Sequence, residues 1–104
     1  MPPMSTESTA TRFVSHVDVD DLNAQNVQEL ASIWGRIENE LQELDVEVQE
    51  SYAVLGSTDF LVVFEAPSTD EAFQADVVLE RHGLAVETNQ VVPTREFAGI
   101  VEDL

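Results

Sequence analysis

The sequence predicts an α+β domain: a four-stranded antiparallel sheet with two helices on one face and a short helix at the end. Three observations predict it. Five apolar residues run unbroken from Phe60 to Phe64, after a Gly56-Ser57-Thr58-Asp59 turn and before Pro67. A run so short, and so rich in Val and Phe, reads as a strand buried on both faces. Apolar residues at Val27, Leu30, Trp34, Ile37, Leu41 and Leu44 step by 3, 4, 3, 4, 3, which is one face of an α-helix. Finally, strand-like and helix-like stretches follow the order β-α-β-β-α-β. The two middle strands are joined by so short a turn that they should form an antiparallel hairpin.

Residues 1–11 are Ser/Thr/Pro-rich without periodicity and read as a disordered tail, leaving 12–104 as one domain. Arg12 to Val19 alternates, with Phe13, Ser15, Val17 and Val19 on one side and Val14, His16 and Asp18 on the other, as a strand does. Asp20 or Asp21 offers the N-cap of the long helix. Ile33 widens its apolar stripe, and Glu29, Arg36, Glu40 and Glu43 make its polar face. Gly35 costs the helix about 1 kcal/mol against alanine, so it is expected to mark a close approach to another backbone. Val46 to Leu55 returns to strand character, alternating at first with Glu47 and Gln49. After Pro67, Ser68 and Glu71 have capping-box spacing. The helix from about Thr69 to His82 should bury Ala72, Phe73, Ala75, Val78 and Leu79, and Gly83 supplies its left-handed stop. Leu84 to Val92 is the fourth strand, ended by Pro93. Thr94 is expected to cap a last helix, Arg95–Val101, docked through Phe97, Ile100 and Val101.

Right-handed crossovers around a central hairpin favour the ferredoxin-like βαββαβ sandwich. In that fold the helices cover one sheet face only. Yet Phe60, Val62 and Phe64 point one way while Leu61 and Val63 point the other. The second face needs cover, and a second copy of the same surface is the simplest source. The expectation is a homodimer packed sheet against sheet.

The stretch Leu55-Gly56-x-x-Asp59-Phe60-x-Val62-x-Phe64-Glu65-Ala66-Pro67, followed by Asp70-Glu71-Ala72, resembles the signature of the GYD-domain proteins. Val86-Glu87-Thr88 and Phe97 resemble that family's last strand and ending. In layout the resemblance spans roughly Phe13 to Phe97; in motif it covers the second half. The family's Gly-x-Tyr-Asp turn stands here as Gly56-Ser57-Thr58-Asp59, so Thr58 replaces the tyrosine, whose role, if any, is lost or has moved to Tyr52. The resemblance implies a dimeric α/β barrel. It implies no single chemistry, because that wider group holds cofactor-free monooxygenases, isomerases, haem enzymes and amino-acid-sensing domains.

Composition narrows the function classes. Acids number 21 and basic residues 4, all arginine, for a net charge of −17. The acids are spread through every segment, which argues for a folded surface coated in carboxylates rather than an acidic tail. Self-repulsion in such a coat is relieved when salt shortens the Debye length to about 3 Å at 1 M. The absence of lysine with this acid excess resembles proteins of salt-in halophiles, and full folding is expected only in high salt. Binding to a nucleic-acid backbone is excluded for want of a basic patch. No cysteine is present, which removes disulfides and thiolate-bound zinc. No apolar run is long enough for a membrane helix, and the first residues lack the pattern of a secretory signal, so the expected location is the cytoplasm.

No nucleophile elbow, phosphate loop, dinucleotide fingerprint or HExxH motif occurs, and no cofactor is implied. His16, Asp18 and Asp20 alternate on one strand face, and Asp18-x-Asp20 with Glu29 echoes a calcium loop. Leu22 and Asn23 stand where a ligand and the turn glycine belong, so a strand end running into an N-cap is the favoured reading and no metal site is assigned. His16 and Tyr52 are the candidate catalytic pair, each weighed against a packed residue on the sheet. Asp59 and Glu65 are the candidate ligand-binding residues. Against ligand binding, Asp59 would bond backbone N–H groups of its own turn and Glu65 would cap the following helix. Trp34 belongs to the core stripe, and His82 reads as a partner of the helix dipole. Arg12 or Arg36 would anchor an anionic ligand. The expected function is a small dimeric module that binds a small apolar or aromatic molecule, or acts as an assembly or regulatory unit. The alternative is a cofactor-free monooxygenase or isomerase using His16 with Tyr52.

Overall fold

In a computed structural model the described residues are 10–19 and 24–102, with backbone only for 24–30 and Ile33. The elements run β1 (Thr11–Val19), α1 (Ala24–Glu43), β2 (Glu47–Ala53), β3 (Phe60–Ala66), α2 (Thr69–Arg81), β4 (Leu84–Val91) and α3 (Thr94–Val101). The strands form one sheet in the order β2-β3-β1-β4, and every neighbouring pair is antiparallel. This is the expected ferredoxin-like α+β fold, in which α1 and α2 lie over one face. The expected cap at Asp20 or Asp21 and residues 1–9 of the expected 1–11 tail fall outside the described residues, while Thr11 already belongs to β1, paired with Ala66 of β3.

The register fixes the two faces. Across β2-β3-β1-β4, the helix-covered face reads Ala53–Phe60–Val17–Val86, Ser51–Val62–Ser15–Thr88 and Val48–Phe64–Phe13–Gln90. Its centre is the core: Phe13, Val17, Val62 and Phe64 are buried with Ile37 and Leu41 of α1 and Ala75, Val78 and Leu79 of α2. Phe13 and Phe64 stack with ring centroids 5.4 Å apart. Trp34 joins the core margin, half-buried and stacked on Phe60 at 5.6 Å.

Strand β2 carries a bulge between Val48 and Glu50. One extra residue reverses the side-chain parity that follows it. Val48 faces the helices with Phe64, but after Gln49 the outward positions become Glu50 and Tyr52. Strict alternation from Val46 would have aimed Tyr52 at the helices.

The helix ends follow local chemistry. Helix α1 stops in a Schellman arrangement: Val46 N–H donates to Leu41 C=O and Asp45 N–H to Gln42 C=O, each at 3.0 Å. Asp45 takes the left-handed position at φ 65°, which aspartate tolerates better than most residues. Ser68 caps α2, accepting from Asp70 N–H at 3.2 Å and bonding the Glu71 carboxylate. That bond holds Glu71 below its ordinary value. Gly83, at φ 84°, ends the same helix as expected.

Four expectations about packing are corrected. Phe73 is 71% exposed, because the buried stripe of α2 runs through Ala72, Ala75, Val78 and Leu79, and Phe73 stands about 100° off Ala72. Among the described residues nothing lies within 4 Å of a methyl group placed on Gly35, so no described backbone approaches it. Thr94 is the first residue of α3 and not its cap; Pro93 holds the cap position and makes no side-chain bond there. Helix α3 buries none of its side chains, and Phe97 and Ile100 are 54% and 60% exposed rather than docked.

Candidate functional site: the open face of the sheet

The face without helices collects every sheet residue singled out from the sequence except Asp59, which begins just before β3. Its rows read Tyr52–Leu61–His16–Glu87, Glu50–Val63–Val14–Asn89 and Glu47–Glu65–Arg12–Val91. Val14, Leu61 and Val63 make a half-buried apolar centre. Polar and charged side chains ring it. His16 is exposed and sits beside Leu61 on one side and Glu87 on the other.

His16 and Tyr52 therefore share a face and a row, but Leu61 stands between them. Two strand spacings place their backbones about 10 Å apart. The Tyr52 hydroxyl donates to Glu50 Oε1 at 3.3 Å. The neighbouring Glu50 carboxylate raises the phenol above its ordinary value, first by its charge and then by that bond. Tyr52 is thus a hydrogen-bonding group at neutral pH and not a base.

Beside His16 lies an open groove of about 470 Å³, lined by Asp18, Ser57, Thr58, Ala85, Glu87 and Asn89 among others. Its floor is a hydrogen-bonded clamp between the β2–β3 turn and β1. Val17 C=O accepts from Asp59 N–H at 3.0 Å and from Thr58 Oγ1 at 3.1 Å. Asp59 N–H also donates to Asp18 Oδ1 at 2.9 Å, and Val19 N–H donates to Asp59 Oδ2 at 2.9 Å. Asp59 thus ties its turn to a strand 40 residues earlier, where the sequence pointed to a bond within the turn. Thr58, which replaces the tyrosine of the resembled motif, has its own task in this clamp.

Glu65 does not cap the following helix. It pairs with Arg12 at 3.0 Å across β3 and β1, while Ser68 does the capping. Arg12 is therefore engaged by a carboxylate, whereas Arg36 lies exposed on α1. His82 at the end of α2 bonds Glu40 of α1 at 3.0 Å and links the two helices. Among the described residues no three His, Asp or Glu side chains gather as a metal site. Asp20 and Glu29, named with Asp18 for the calcium reading, fall outside the described side chains.

A polar chain under the sheet was not foreseen. Ser15 is fully buried, and its hydroxyl lies 2.6 Å from Thr88 Oγ1. Thr88 in turn donates to Asp76 Oδ1 of α2 at 2.6 Å. Thr88 has one proton and gives it to Asp76, so Ser15 is the donor to Thr88. Burial raises Asp76 above its ordinary value, partly offset by the Thr88 bond, and Glu80 adds to the rise. The alternation of β1 offered the signal: Ser15 is the one hydroxyl among Phe13, Val17 and Val19.

The profile of the GYD domain family matches residues 13–101. The chain belongs to the GYD domain family. No curated protein matches the chain. Among solved structures it is similar to a C-terminal segment of the alpha subunit of aIF2 from Pyrococcus abyssi, with TM-score 0.43 and 16% identity over 80% of this chain. The chain spans about 50% of the length of that structure. Among the described residues no helix is long and apolar enough to cross a membrane.

Proposed function

We propose that this GYD protein is a cytoplasmic homodimer joined through the open faces of its two sheets, and that it holds a small apolar or aromatic molecule between them. The observation that carries this reading is the composition of the open face. Val14, Leu61 and Val63 form an apolar centre that no element among the described residues covers, and polar bonding groups at its margin, His16 and Tyr52, can orient a ligand. Pockets for small molecules have this character: apolar walls with a few placed polar groups. The rim is acidic through Glu47, Glu50 and Glu87, so the same interface repels itself at low salt. Pairing therefore strengthens as KCl approaches molar concentrations.

Sedimentation in 2 M KCl gives the decisive measurement. The expected result is a dimer that Leu61→Glu converts to a folded monomer. Native mass spectrometry of the protein as purified should then show a small molecule that leaves with the dimer. A monomer in molar salt overturns the reading.

A second reading, a cofactor-free monooxygenase or isomerase, is favoured by the shared row of His16 and Tyr52. The separation of about 10 Å prevents direct proton exchange between them, so a substrate would have to lie across Leu61. Turnover abolished by both His16→Ala and Tyr52→Phe, with dimerisation unchanged, would establish it over the binding reading.

A further inference from the structure

Helix α3 is amphipathic and eight residues long, and none of its side chains is fully buried, Val101 being half-buried. Its apolar side chains Phe97 and Ile100 stand in solvent, as does Val92 just before it. Its position bears on the open face. A groove of about 480 Å³ is bounded by Arg12, Glu65 and Val91 on one side and by Pro93 and Glu96 on the other. Arg12, Glu65 and Val91 belong to one outward row of the sheet, so the first turn of α3 rises beside the end of the open face.

The size of that face shows why this matters. Four strands about 4.8 Å apart, each about seven residues long, give a flat area on the order of 450 Å². A stable interface needs about 800 Å² from each partner. The apolar centre is smaller still, because the outermost row is charged. With a whole aromatic side chain worth about 150–250 Å², the exposed parts of Phe97, Ile100 and Val92 supply roughly 250 Å² more. Charge points the same way. Arg95 on α3 makes no ion pair among the described residues, while the rim of the open face offers Glu47, Glu50 and Glu87.

We infer that α3 is an intersubunit clasp: its Phe97 and Ile100 pack on the second copy of the chain, and Arg95 meets that copy's acidic rim. This rests on the sheet-face pairing proposed above. The clasp closes each end of the sandwich and brings the interface from about 450 Å² to about 700 Å² per partner, close to the roughly 800 Å² of a stable dimer.

Two measurements in 2 M KCl test it. First, Phe97→Ser/Ile100→Ser should raise the dimer dissociation constant by about tenfold or more, equivalent to about 1.4 kcal/mol or more, and leave the monomer's circular dichroism and melting unchanged. Second, in a dimer of one 13C-labelled and one unlabelled chain, filtered NMR spectra should show contacts from the Phe97 ring and Ile100 methyls to the other chain. A double variant that pairs as tightly as wild type overturns the clasp alone. So does a dimer in which these side chains contact only their own chain, for instance Phe73 of α2. A chain that stays monomeric overturns the sheet-face pairing and the clasp together.

Discussion

Two faces of the same strands differ by one residue step and by almost everything else. Facing the helices, Phe13, Val17, Val62 and Phe64 are at most 4% exposed, and the fully buried Ser15 among them has a hydroxyl partner. Facing outward, Val14, Leu61 and Val63 are half-buried and His16 is exposed. The inward face stabilises the subunit through burial. The outward face is apolar in its centre without helping the subunit much, and the proposed pairing rests on that patch. Truncation separates the two most sharply. Phe64→Ala removes a ring that stacks on Phe13 in the middle of the core, and the expected loss is about 3–5 kcal/mol. Leu61→Ala, three residues earlier on the same strand and on its other face, should cost the monomer about 1 kcal/mol or less. Chemical denaturation of both variants under monomeric conditions checks the contrast, and equal losses would erase the distinction between the faces.

The inward face was legible because a two-residue period needs only local sequence. Phe13, Val17, Phe60, Val62 and Phe64 fall on it as alternation requires. What failed was what pairing decides. The bulge at Gln49 cannot be read from Val46 and Val48, because it exists only relative to β3. Without it, Tyr52 could not be placed in the row of His16. The sequence points Asp59 to a bond in its own turn, because local hydrogen bonding is the common use of a turn aspartate. Its acceptor instead serves Val19, a contact created by the sheet order. Hydrophobicity alone points Phe73 to the core, whereas the helix phase that buries Ala72 and Ala75 brings Asp76, and not Phe73, toward the sheet. The spacing of the apolar side chains of α3 predicts a docking face, yet Phe97 and Ile100 stand exposed on their own subunit, and nothing in that spacing names another surface to receive them.

The outer coat responds to salt where the core does not. At 0.1 M ionic strength the Debye length is about 10 Å, long enough for neighbouring carboxylates in a coat of net charge −17 to repel one another; at 1 M it is about 3 Å. The melting temperature should rise by several degrees or more between low and molar KCl, since about 1 kcal/mol moves a domain of this size by roughly 4–8 °C. Differential scanning calorimetry across a KCl series is the measurement, and a flat series would remove the high-salt reading.

Between the two faces lies the Ser15–Thr88–Asp76 chain, polar yet on the inward side. Thr88→Val leaves the buried Ser15 hydroxyl without its acceptor and Asp76 without its donor, so a loss of about 1–3 kcal/mol is expected. Its pH behaviour has a definite sign. Asp76 is raised by burial, so its contribution to stability is fully present below the ordinary carboxylate value of about 3.9 and is lost as pH rises through its raised folded value. Asp76→Asn keeps an acceptor for Thr88 and removes the titration. From acid to neutral pH, the stability of Asp76→Asn should therefore gain on that of wild type. Denaturation curves for both proteins across that range, at fixed high salt to hold the coat constant, should diverge in that direction; parallel curves would show that Asp76 carries no penalty.

The smallest effect separates surface shaped by packing from surface left free. Gly35 sits within α1, and a methyl group added there meets none of the described residues within 4 Å. Its backbone is helical, so alanine adopts it without strain and loses less freedom on folding than glycine does. Gly35→Ala should stabilise the monomer by about 0.5–1 kcal/mol and leave the dimerisation constant unchanged, because α1 lies on the side away from the open face. The double measurement gives this change its value. A stabilised subunit with weaker pairing would mean that Gly35 is reserved for close contact with another chain across the helix layer, and the open sheet would then not be the surface through which copies meet.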